Sequence, residues 1–123
     1  MSFSEEKVRV LNSSSYAISL INGKWKIRII CLLSDGEALR YSELKKSLPY
    51  ISDRSLSKVL KEMCADNLLE RKQFEYIPPV VQYKISKAGI KIIPILYQLG
   101  EWTNELDDKA WRRVGEDSVC DQQ

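Results

Sequence analysis

At 123 residues the chain has the length of one domain with a real core and no internal repeat, and 19 basic against 17 acidic side chains leave a net charge of +2, too small to name a partner. With no histidine, and with three cysteines (Cys31, Cys64 and Cys120) at no metal-type spacing, the composition argues against a zinc site, a disulfide scaffold and a histidine-dependent hydrolase. No apolar run reaches the length of a bilayer span and the start "MSFSEEKVRV" lacks a signal-peptide pattern, so the expected location is cytoplasmic with no membrane partner.

The charge is unevenly spread. From Arg40 to Lys61 the cations Arg40, Lys45, Lys46, Arg54, Lys58 and Lys61 meet only Glu43 and Asp53, and from Arg71 to Lys91 five cations meet only Glu75. From Glu101 onward the chain turns acidic. A basic middle of this kind suggests a polyanion site on one surface, although solvated faces alone would also produce it.

In chain order, residues 1–15 read as a polar leader ending in "NSSS", followed by a short segment from Tyr16 to Ile21. A helix is expected from about Lys24 to Ser34, with Trp25, Ile29, Leu32 and Leu33 on one face and Ile27, Ile30 and Cys31 largely off it. Gly36 can close it, "EALR" can form a short strand, and Ser42 can cap a second helix, "YSELKKSL", buried through Leu44 and Leu48 and stopped by Pro49.

The stretch "SDRSLSKVLKEM" carries the densest signal. Ser52 stands at an N-cap position, and Leu56, Val59, Leu60, Met63 and Cys64 recur at the three and four spacing of an inward stripe. Arg54, Lys58 and Lys61 project from the other side with Ser55 and Ser57 on the flanks, and Asn67 can take the positive φ of a helix stop. Two short helices joined by "PYI", the second showing short hydroxyls and long cations, suit a helix-turn-helix. Arginine can bridge both acceptors of guanine in the major groove while lysines neutralise phosphates, which makes Arg54 the leading base reader. An ordinary amphipathic surface helix is the alternative.

Two strand-like runs follow, "LLERKQFEY" and "VVQYKIS", with Val81, Tyr83 and Ile85 alternating against Val80, Gln82 and Lys84. A hairpin in this position is a wing whose Arg71, Lys72, Gln82 and Lys84 can reach a DNA backbone or minor groove, or simply shield the core. The last helix, from about Lys87, is too apolar for one small domain to cover, and Pro94 predicts a bend near Ile90. Leu99, Trp102 and Leu106 are expected as dimer anchors, joined by Ile27 and Ile30.

These pieces resemble the HxlR-type winged-helix regulators, related in architecture to the MarR group. The matching segments are "INGKW" at Ile21 to Trp25, "RYSELKKSLPYIS" at Arg40 to Ser52, "S-x-x-x-L-x-x-x-L-x-x-M" from Ser52 to Met63, "DNLLERK" at Asp66 to Lys72, "PPVVQYKISKAG" at Pro78 to Gly89 and "IIPILYQLGEW" at Ile92 to Trp102. The resemblance implies a homodimer that binds operator DNA and changes transcription. It also implies a cysteine shortly before the first helix in many relatives, used by some to sense electrophiles or oxidants; here that region reads "LNSSSY".

The expectation is therefore a mainly α fold with a small β-hairpin wing, a winged helix-turn-helix dimerising through terminal helices. Its divisions are a leader at 1–15, a DNA-binding domain at 16–88, a dimerisation helix at 89–113 and a flexible acidic tail at 114–123. The expected function is a sequence-specific regulator on a near-palindromic operator, with repression favoured over activation because occupying a promoter suffices for it. The expected DNA contacts are Ser42, Ser52, Arg54, Ser55, Ser57, Lys58, Lys61, Lys72, Gln82 and Lys84. No catalytic residue, metal or cofactor is expected, and any small-molecule effector is unknown. The rival reading is a winged-helix module that pairs with another protein and never meets DNA.

Overall fold

The computed structural model describes residues 4–109 and Arg112. The acidic tail at 114–123, with Cys120, lies outside the described residues.

The first helix, α1 (Glu5–Ile21), starts well before the expected segment at Tyr16. Ser4 caps it by accepting from the Lys7 N–H at 3.3 Å, and Glu5 and Glu6 sit at its positive end. The serines that suggested a leader are accommodated by back-bonding: Ser13 Oγ donates to the Arg9 carbonyl at 2.7 Å and Ser14 Oγ to the Val10 carbonyl at 2.6 Å. There is thus no break between residues 15 and 16.

Gly23, at φ +118°, turns the chain into α2 (Lys26–Leu32). Ile29, Ile30 and Leu33 of this region are buried, Trp25 and Leu32 are half-buried, and Ile27 and Cys31 are exposed. The expectation for Ile30 is corrected: at 1% exposure it belongs to the chain's own core cluster, against which Ile93 and Leu96 of the last helix pack.

A two-residue strand, β1 (Leu39–Arg40), leads into α3 (Tyr41–Ser47). Here the cap is Arg40 rather than Ser42; the Arg40 backbone N–H donates to Glu43 Oε1 at 2.9 Å and Ser42 lies exposed in the first turn. Leu44 and Leu48 are buried as the spacing predicts. α4 (Asp53–Ala65) follows, buried through Leu56, Leu60 and Met63, with Asn67 at φ 64° turning the chain out of it.

β2 (Leu69–Phe74) and β3 (Val80–Ile85) form the hairpin, and with β1 they make an antiparallel sheet in the order β1-β3-β2. Leu69, Tyr83 and Ile85 turn one sheet face onto the helices. At the joint below the sheet, buried Ser86 donates through Oγ to the Asn67 carbonyl at 2.7 Å and accepts from the Gly89 N–H at 2.8 Å. A side chain at Gly89 would collide with the Leu68 carbonyl oxygen. α5 (Lys87–Ile90) stops there and α6 (Ile92–Leu106) starts afresh, the expected interruption near Ile90. Pro94 falls in the first turn of α6, where its missing N–H leaves no helical bond unmade. No residue of α6 is fully buried. Among the described residues, no helix is long and apolar enough to cross a membrane.

Candidate nucleic-acid interface

The site begins at the loop between α3 and α4. Buried Ile51 pins it to the core, and Tyr50 takes φ 69° to make the turn. Ser52 then caps α4, its Oγ accepting from the Ser55 N–H at 3.0 Å and lying 3.0 Å from Ser55 Oγ. Both hydroxyls are thereby engaged inside the first turn, so their first duty is to shape the helix end.

With Leu56, Leu60 and Met63 fixed in the core, helical geometry turns Arg54, Ser57, Lys58 and Lys61 into solvent, and Ser55 is half-buried. Among the described residues the ion pairs are Lys26–Glu62 at 3.3 Å and Lys45–Asp53 at 2.8 Å, and neither involves Arg54, Lys58 or Lys61. The first pair braces α2 against α4. The second joins the two helices of the helix-turn-helix, where Asp53 Oδ1 also accepts from the Tyr41 hydroxyl at 3.0 Å. Hydrogen bonds from Lys45 and then Tyr41, with the Lys45 charge behind them, hold the Asp53 carboxyl below its ordinary range.

The hairpin divides its polar residues between two faces. Register pairs Arg71 with Tyr83 and Gln73 with Val81 on the α4 side, and Lys72 with Gln82 and Glu70 with Lys84 on the other. The structure therefore groups Lys72, Gln82 and Lys84 together but does not bring them onto the face shared with α4. Lys72 Nζ lies 5.0 Å from the centroid of the Phe74 ring on that outer side. Arg71 occupies the position beside α4, in a recess of about 360 Å³ that Tyr41, Ser57, Lys61 and Cys64 also line. Burial pushes the Cys64 thiol up, partly offset by Arg71. Strand alternation carried the signal for Arg71, which shares parity with the buried Leu69.

The apolar surface lies elsewhere. Leu99, Trp102 and Leu106 of α6 are 46%, 56% and 69% exposed, together with Ile27 of α2 at 41%. α1 adds Val8, Leu11, Tyr16 and Ile18, all exposed, a surface the reading of 1–15 as a leader overlooked although Val8, Leu11 and Ile18 recur on one helical side. Between α2 and α6 runs a mainly apolar cleft of about 520 Å³, lined among others by Cys31, Ile93, Leu96 and Tyr97.

A helix pair with a capped, cation-bearing second helix, followed by a three-stranded wing, is the winged helix-turn-helix arrangement. Residues 20–110 match the family model described as HxlR-like helix-turn-helix. The chain belongs to the HxlR-like helix-turn-helix family. It is 41% identical over 106 residues to an uncharacterized HTH-type transcriptional regulator of Halalkalibacterium halodurans, covering 83% of this chain and 94% of the relative. A second such regulator, YdzF of Bacillus subtilis, is 38% identical over 87 residues, covering 71% of this chain and 80% of the relative. Among solved structures, one assigned to the MarR family from Enterococcus faecalis V583 superposes with a TM-score of 0.74 at 32% identity, covering 91% of this chain and 96% of that one. The redox regulator HypR in its reduced form superposes with a TM-score of 0.71 at 29% identity, covering 82% and 98%. The HxlR-type chain is accordingly a transcriptional regulator and not an enzyme.

Proposed function

We propose that this HxlR-type regulator binds double-stranded operator DNA in a sequence-specific manner as a homodimer, with repression as the favoured outcome. The observation that carries the reading is the outer face of α4, where Arg54, Lys58 and Lys61 are exposed beside Ser55 and Ser57 and enter none of the ion pairs among the described residues. On such a face Arg54 reads guanine, Lys58 and Lys61 neutralise phosphates, and Ser42, Ser52, Ser55 and Ser57 lie at its margin. Arg71 is the hairpin cation that adjoins this face, and Lys72, Gln82 and Lys84 serve a strand passing along the outer side of the wing.

The dimer reading rests on apolar chemistry. A 17-residue helix such as α1, with only Ile21 buried, is marginal in water on its own, and α6 adds the exposed anchors Leu99, Trp102 and Leu106. Residues 16–88 then act as the DNA-binding unit and 89–113 as the dimerisation element, with α1 joining the second role. Two-fold symmetry pairs the two copies of α4 on half-sites about 34 Å apart, or a multiple of that. Helix α1 offers no cysteine in "LNSSSY", so the proposal includes no thiol switch at that position.

Selection of bound fragments from a genomic DNA pool tests the proposal directly. The expected result is a near-palindromic site bound by a dimer, with affinity falling steeply as salt is added. Capture of a protein partner, with no DNA fragment enriched at low salt, would replace it by the interaction-module reading.

A further inference from the structure

An aspartate in the first turn of a helix that faces a polyanion is a puzzle of charge. Asp53 stands next to Arg54, its side chain is 77% exposed, and it is not turned aside into the core. Two neighbours on α3 hold it instead: Lys45 Nζ at 2.8 Å and the Tyr41 hydroxyl at 3.0 Å, both on Oδ1. The Lys45 cation offsets its charge against nearby phosphates, and the two bonds restrict its orientation. A carboxylate has two oxygens and about four acceptor positions, so Oδ2 retains capacity for another donor.

We propose that Asp53 is a specificity-determining residue that accepts a hydrogen bond from the exocyclic amine of a cytosine in the major groove, with Lys45 and Tyr41 as its positioning residues. The inference rests on the DNA-binding reading above. Its chemistry is selective because a carboxylate only accepts. Guanine and thymine present acceptors that repel it, and adenine places the N7 acceptor beside its amine, whereas the cytosine edge offers a donor. The N-terminal turn of a recognition helix is also where side chains meet base edges. Asp53 thus complements Arg54, the acid selecting a donor edge and the base selecting an acceptor edge.

The test is half-site selection from a randomised DNA pool with the full-length wild type and with Asp53→Asn, Asp53→Ala, Tyr41→Phe and Arg54→Ala. The expected wild-type result is a cytosine preferred about tenfold or more at one position, distinct from the guanine that Arg54→Ala loses. Asp53→Ala should level that position alone. Asp53→Asn, nearly isosteric and so safe for the fold, should move the preference toward adenine, since an amide can pair with both the amine and N7. Tyr41→Phe should weaken the cytosine preference without redirecting it. Unchanged base frequencies with both Asp53 variants, while the wild type still enriches a half-site, would overturn the role of Asp53 and leave DNA binding standing. Failure of the wild type to enrich any sequence would overturn both.

Discussion

α4 and α6 are amphipathic helices of similar length, 13 and 15 residues, that turn opposite chemistry toward water. α4 sinks Leu56, Leu60 and Met63 into the core and leaves its cations outside. α6 sinks nothing completely and leaves Ile95, Leu99, Trp102 and Leu106 outside. A helix whose apolar side is satisfied within the chain is free to serve a polar ligand, whereas one whose apolar side is still wet offers a surface to an apolar partner, the second copy of the chain in the dimer proposed above. One small chain thus carries two separate surfaces, and each can be damaged without touching the other.

The largest expected effect comes from putting charge on the wet apolar stripe. On the proposed dimer, Trp102→Asp should leave a monomer in sedimentation where the wild type is dimeric, and lower operator affinity by about 100-fold or more, since two half-sites can no longer be held together. If the variant stays dimeric, the stripe is not the interface. Next comes the joint between the two regions: Gly89→Ala must push against the Leu68 carbonyl, and its denaturation midpoint should fall by the equivalent of about 1–3 kcal/mol. A smaller and more selective change is expected on α4. Arg54→Ala should cost operator-over-random discrimination about 1–3 kcal/mol, whereas Lys58→Ala should weaken both DNAs alike and lower the salt slope by about 1. Equal losses on both DNAs for Arg54→Ala would remove its assignment as a base reader.

The smallest effect concerns Asp53. Its folded-state carboxyl titrates lower than in the unfolded chain, so the interaction with Lys45 and Tyr41 is fully present above the ordinary aspartate range and is lost as pH falls through the lowered value. NMR titration should find Asp53 protonating at lower pH than an aspartate in a peptide, and Lys45→Ala should move it upward. At a surface position this changes global stability little.

Much of the architecture was visible in the linear chain wherever the deciding interactions are local. The Ser52 cap, the inward stripe from Leu56 to Met63, the positive φ at Asn67 and the alternation of Tyr83 and Ile85 with Lys84 follow from hydrogen bonds and side-chain directions within a few residues. The interruption near Ile90 belongs with them, because proline chemistry acts one turn away. The misreading of "NSSS" was also local: serine can compete with a helix or join it by bonding the carbonyl four residues back, and the pattern alone does not say which.

Other features needed the packed chain. Helical spacing puts Ile30 off the inward face of α2, and only the packed chain, with Ile93 and Leu96 against the core cluster, makes it a core residue. The separation of Arg71 from Lys72, Gln82 and Lys84 required knowing which face of the sheet α4 covers. The meeting of Tyr41, Lys45 and Asp53 spans 8 to 12 residues across the turn of the helix pair. Periodicity and capping specify elements and their apolar sides, since those depend on neighbours in the chain. Which polar groups share a surface, and which apolar side remains wet, depends on contacts between elements distant in sequence, and these exist only once the helices and the wing have packed.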